Sequence, residues 1–144
     1  MTTWIINAET GASAMYSNHD FTGYSDELAC RADGIYLLGG DSDDGEPIAA
    51  TVSLGVQLLG STMQKTVQYV YLGTSGNMAV RITANGQTFT YPLRTHNPLL
   101  TTQRADCGRG LKATHILLEL VNVEGADFDL ASVQLMIANL TRRI

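Results

Sequence analysis

The densest group of chemistry-bearing side chains is Asp41, Asp43, Asp44 and Glu46 in the turn-rich segment Gly39 to Pro47. Clustered carboxylate oxygens suit a hard cation such as Ca²⁺. The ordered spacing of an EF-hand, with Gly at the sixth position and Glu at the twelfth, is absent, so these residues read first as an acidic solvated turn and only second as a weak Ca²⁺ site. His19, His96 and His115 are dispersed, with no spacing that suggests a shared metal. Cys30 and Cys107 stand far apart without a CxxC pair or a nearby second ligand, which fits buried free thiols better than a metal site or a disulfide. Gly108-Arg109-Gly110 lacks the following Lys-Ser/Thr pair and helix of a phosphate cradle and reads as a turn.

Nucleophilic chemistry has one candidate. Gly40-Asp41-Ser42 carries the residue types of a GDS hydrolase block, but such a site needs an apolar residue after the Ser and an Asp three positions before the His. Here Asp43 follows Ser42, and Lys112 stands three positions before His115. No catalytic residue, cofactor ligand or metal ligand is therefore assigned, and the chain is expected not to be an enzyme. Trp4, Tyr16, Tyr24, Tyr36, Tyr69, Tyr71 and Tyr91 include rings that could stack on pyranose faces, although most aromatics in a β protein fill a core or cover an edge.

The elements that hold these residues have a period of two. Ile48, Ala50, Val52, Leu54, Val56 and Leu58 alternate with small or polar residues, as in a long strand with one apolar face. Asn85-Gly86 separates two alternating runs and predicts a type I′ hairpin, since both turn positions need positive φ. The register follows: Ala84 faces Gln87, Thr83 Thr88, Ile82 Phe89, Arg81 Thr90 and Val80 Tyr91. Val67 to Leu72 is a further strand. With Gly73-Thr74-Ser75-Gly76-Asn77 as a loop into Met78, a three-stranded meander from about Thr66 to Leu93 is expected. Ile116, Leu118 and Leu120, then Val133, Leu135 and Ile137, mark two core strands. The stretch from Thr95 to Gly110 reads as a crossover loop with a short strand. Gly34 to Leu38 is a short strand, and Trp4 to Ile6 and Met15-Tyr16 are weaker ones joined by Glu9-Thr10-Gly11.

No segment has ten or more residues of helical period with caps. The expectation is an all-β chain, an antiparallel, jelly-roll-like β-sandwich over residues 47–144. Residues 1–46 form an extended N-terminal arm, or strand-poor extension, with the acidic loop.

The chain has 144 residues, 44% hydrophobic and 16% charged, with a net charge of -5. One core is expected at this length. Its seven Arg and two Lys are scattered singly apart from Arg142-Arg143, which argues against nucleic-acid binding and against a polybasic membrane anchor. The start Met1-Thr2-Thr3-Trp4 has no basic region ahead of an apolar stretch, so no secretion signal is expected. No apolar run approaches the roughly 18 residues of a spanning helix, and a soluble protein is expected. Lys and Pro, the usual blockers of sheet edges, number only two and three, so edge-to-edge association has little to oppose it.

Four blocks carry a resemblance: Trp4 to Ala12, Tyr16 to Phe21, Asp33 to Gly45, and above all Leu120 to Leu130 with the ending Leu140-Thr141-Arg142-Arg143. Together they resemble a family of small virion structural proteins of tailed bacteriophages, from the tail tip, baseplate or fibre region. The resemblance implies a structural subunit in several symmetric copies, assembled in the host cytoplasm and carried in the virion tail. Its partners would be itself and neighbouring phage tail proteins, met through strand edges and the N-terminal arm. The alternative reading is a carbohydrate-binding module for host-surface glycans.

Overall fold

The computed structural model describes residues 2–40, 42–43, 45–60, 62–108 and 110–140. Among them every regular element is a strand, all pairings are antiparallel, and two compact units divide the chain at Gly40/Asp41.

The first unit, Met1–Gly40, holds five short strands. β1 (Thr2–Ile6) and β2 (Ser13–Ser17) form a hairpin pairing Trp4 with Met15 and Ile6 with Ser13. Asn7 organises its turn: the side-chain Oδ1 accepts from the Glu9 and Thr10 amides at 2.9 and 3.0 Å, and the Gly11 amide returns to Asn7 O. β3 (Gly23–Ser25), β4 (Leu28–Arg31) and β5 (Gly34–Leu37) form a second small sheet. The segment expected as an arm over residues 1–46 thus carries paired strands, and the unit boundary falls before the acidic loop.

The second unit, Asp41–Ile144, begins with a two-residue pair, β6 (Ser42–Asp43) and β7 (Glu46–Pro47). It continues through β8 (Thr51–Gln57), β9 (Lys65–Gly76), β10 (Met78–Ala84), β11 (Gln87–Pro92), β12 (Asn97–Asp106), β13 (Lys112–Ala113), β14 (Ile116–Asn122) and β15 (Leu130–Asn139). One sheet has the order β11-β10-β14-β8. In the other, β9 is bordered by β15 along one side and by β12 and then β13 along the opposite side.

Both sheets contribute to one core in a sandwich-like arrangement: Val70 and Leu72 from β9 meet Val80 and Ile82 from β10 and Leu118 and Leu120 from β14, all fully buried. Each such side chain contributes roughly 1.5–3 kcal/mol on removal from water. On its opposite face the first sheet carries Arg81 and Glu119, paired at 2.9 Å, and a Thr83–Thr88 hydroxyl bond. The strand order by itself does not define a jelly-roll winding.

The Asn85-Gly86 turn has φ of 52° and 75°, and the five pairs read from the sequence are those observed. The meander is not. β9 lies in the other sheet, and β10 is flanked by β11 and β14. The residues read as a loop, Gly73–Gly76, complete β9 because its neighbours satisfy their polar groups. Thr74 Oγ1 donates to Asp129 O at 2.6 Å, the Ser75 amide to the same oxygen at 3.1 Å, and Gln103 Nε2 to Thr74 O at 3.0 Å. The expected crossover loop likewise contains a ten-residue strand, β12, whose outward Thr and Arg side chains hid its alternation.

β8 departs from its pattern at Gly55. There φ is +70°, and Leu54 and Gly55 together oppose Leu118 while Ser53 pairs with Glu119 and Val56 with Leu117. This bulge reverses the alternation, so Val52 and Leu54 pack on the core whereas Val56 turns outward. Val56→Ser is accordingly expected to leave stability within about 0.5 kcal/mol, and Leu54→Ser to cost at least about 1.5 kcal/mol, measured by urea unfolding. Equal losses at the two positions would contradict the bulge.

Candidate assembly surface

The residues with candidate chemistry do not converge. Ser42 is exposed on β6 and pairs with Pro47, and no helix follows it among the described residues. His115 is exposed and its Nδ1 lies 2.9 Å from Thr114 Oγ1. Of the acidic loop, Asp43 and Glu46 face one another on exposed strands, while Asp41 and Asp44 lie outside the described residues, as do Arg109 of the glycine pair and Arg142-Arg143. Among the described residues no three His, Cys, Asp or Glu side chains group to hold a metal ion. Both thiols are free: Cys107 is buried, which pushes its pKa up to about 12, whereas Cys30 is exposed, contrary to the expectation of two buried thiols.

The first unit is where sequence and surface conflict. It carries a small, partly exposed aromatic cluster around His19. Phe21 meets the imidazole edge-on at 4.8 Å, Tyr16 lies at 5.4 Å, and Tyr24 stacks at 6.0 Å with its hydroxyl 3.4 Å from Nδ1. Thr3 Oγ1 donates to His19 O, joining the hairpin to this cluster. Arg31 closes it from the side: its guanidinium lies 4.7 Å from the Tyr36 ring centroid, and it is bonded to Asp33 at 2.6 Å, Asp20 at 3.3 Å and the Tyr36 hydroxyl at 3.0 Å. That contact holds the Asp33 carboxyl below the ordinary carboxylate range. The ion pairs are solvent-exposed and add little stability.

Among the described residues of the unit, the only buried hydrophobic one is Ala29. Two apolar faces point to solvent. On the hairpin, alternation places Trp4, Ile6 and Met15 together, 65%, 66% and 61% exposed. On the second sheet, Ala29 and the rings of Tyr24 and Tyr36 occupy one face, so Leu28, Cys30, Ile35 and Leu37 fall on the other, with Ile35 at 76% and Leu37 at 70%. Hairpins of two strands are marginal in water, and exposed apolar patches of this kind mark interaction sites. Sequence reading pointed to this segment for assembly but not to these faces. The signal was the alternation of Leu28, Cys30 against Ala29, Arg31 and of Ile35, Leu37 against Gly34, Tyr36, which is too short to orient without the pairing register.

The chain is thus an all-β protein in which a sandwich-like unit with a complete core follows a β-rich unit that has almost none. No family model matches the chain, and neither a curated protein nor a solved structure is similar to it.

Proposed function

We propose that this chain is a non-enzymatic structural subunit of a tailed-phage virion, in the tail tip, baseplate or fibre-attachment region. It assembles with copies of itself and with neighbouring tail proteins through its N-terminal unit, in the host cytoplasm, and is carried in the tail. The observation that carries this reading is that the described residues of the N-terminal unit bury one hydrophobic side chain, Ala29, and expose nine large ones, among them Trp4, Ile6, Met15, Leu28, Ile35 and Leu37. Each would gain roughly 1.5–3 kcal/mol on full burial, a gain no other part of the unit supplies and a neighbouring chain can. The open edges of the two small sheets offer backbone pairing to the same neighbour. The phage assignment itself rests on the sequence resemblance.

The double substitution Ile35→Asp, Leu37→Asp tests it. Both side chains are mostly exposed, so the chain is expected to fold with an unchanged far-ultraviolet spectrum. Sedimentation velocity should then show the parent chain as an oligomer and the variant shifted to monomer, and phage particles grown with the variant should lack the subunit. A monomeric parent chain, or particles that incorporate the variant normally, would overturn the reading.

A further inference from the structure

A second surface, independent of the assembly faces, lies on the outward side of the sheet built on β9. Alternation sends Val70 and Leu72 into the core, so Tyr69 and Tyr71 stand on the solvent side, half-buried, with ring centroids 6.3 Å apart. Their cross-strand neighbours are fixed by register. Asp106, Tyr69 and Met136 form one row across the sheet, and Arg104, Tyr71 and Gln134 form the next. The third row is Thr102, Gly73 and Ser132, so the floor beside the rings is low and lined with hydroxyls.

The charges on this face are unequal. Asp106 is approached by two guanidinium groups, Arg104 Nε at 2.8 Å and Arg94 Nε at 2.5 Å, and the Arg104 guanidinium also lies 4.9 Å from the Tyr69 ring centroid. One carboxylate against two guanidiniums leaves an excess positive charge on a chain whose net charge is -5. Strand packing alone accounts for tyrosines on a pleated surface. It does not account for a second guanidinium where the first has already neutralised the carboxylate. Both Arg side chains approach Asp106 through Nε as ion pairs, and Arg94, with a side chain 63% exposed, keeps its terminal N–H groups for another acceptor.

We propose that this face binds an acidic oligosaccharide, one carrying a sugar carboxylate. A pyranose ring lies on Tyr71 and Tyr69, whose flat faces receive its C–H side. The carboxylate accepts from the terminal N–H groups of Arg94, a planar fork matched to it, and ring hydroxyls reach Gln134 and Ser132. Charge complementarity selects an acidic sugar over a neutral one, because a neutral sugar would leave the second guanidinium unanswered.

The test is calorimetric titration of the full chain with two acidic probes, sialyllactose and trigalacturonate, and their neutral counterparts, lactose and maltotriose. At least one acidic probe should bind about ten-fold or more tightly than its counterpart, and the preference should shrink as salt is raised. Arg94→Gln, at an exposed position that leaves the fold intact, should weaken that probe about ten-fold, and Tyr71→Ala should weaken it further while Tyr71→Phe largely restores it. Failure of both acidic probes to bind at millimolar concentration would overturn the proposal, as would equal binding of neutral probes or indifference to Arg94→Gln. None of these readouts depends on the N-terminal faces, so monomeric behaviour of the chain would leave the proposal standing.

Discussion

Gly76→Ala is expected to lower the stability of the second unit by at least about 3 kcal/mol, a fall of roughly 10–15 °C in melting temperature. Gly76 ends β9 with φ of +79°, a region costly to a residue with a Cβ. Space adds to the conformational cost: a Cβ there would sit 2.0 Å from Asp127 O and 3.2 Å from Phe128 Cα. Those are backbone atoms, and they have little freedom to retreat. Asp129 O accepts from both the Ser75 amide and Thr74 Oγ1, the Asp129 amide donates to Ser75 Oγ at 3.1 Å, and the Val123 amide donates to Asn77 O at 3.1 Å. The control is Gly86→Ala, where φ is +75° but nothing lies within 4 Å of the new Cβ. That variant should lose only about 1–2 kcal/mol, the conformational part alone. Urea unfolding should show both midpoints lowered at constant slope, Gly76→Ala much the more. Losses within about 0.5 kcal/mol of one another would mean that the Asp127 segment yields freely and that its contact with β9 fixes nothing.

The same corner shows why part of the fold was legible and part was not. The hairpin at Asn85-Gly86 could be written down residue by residue because turn chemistry and alternation are both local, and each demanded the same register. The core strand Ile116 to Leu120 is legible for a similar reason, its buried side chains Ile116, Leu118 and Leu120 being spaced by two. Gly73 to Asn77 misled because small polar residues suit a loop in isolation. What makes Thr74 and Ser75 strand residues is Asp129, more than fifty positions away, and no local pattern reports that partner. Without it, β9 and β10 read as neighbours, although the chain passes between sheets there.

Gly55 misled in the opposite sense. A regular apolar alternation across it concealed one extra residue in the strand, and a slip of one exchanges the faces of everything beyond. The alternation assigns Val56 and Leu58 to the core, and both are exposed. The surface residues were least legible of all. Tyr69 and Tyr71 were visible as ring-bearing positions, but Arg104, Asp106 and Gln134 joined them only through pairing of β9 with β12 and β15. In the N-terminal unit, runs of three to five residues were too short to separate an arm from small sheets, since the distinction lies in register and not in composition.

Lys65→Met should cost the second unit about 3 kcal/mol despite removing an apparent misfit, a lysine 1% exposed among core residues. Lys65 opens β9, paired with Ala113 on one side and Asn139 on the other. Its Nζ donates to Leu58 O at 2.6 Å and to Thr114 O at 3.1 Å. These carbonyls belong to the connections β8–β9 and β13–β14, each of which joins one sheet to the other, so a single ammonium ties together two crossings of the sandwich. Replacing a buried ion pair with apolar side chains is often neutral, because both polar partners leave together. Here the Leu58 and Thr114 acceptors are main-chain oxygens that no substitution removes. Methionine fills nearly the same volume and opens no large cavity, which isolates the loss of donors as the cause. Amine acetylation offers a second measure: exposed Lys112 should react promptly in the folded chain and Lys65 only as it unfolds. A Lys65→Met protein as stable as its parent, or equal labelling of the two lysines, would show that the two crossings hold without this ammonium.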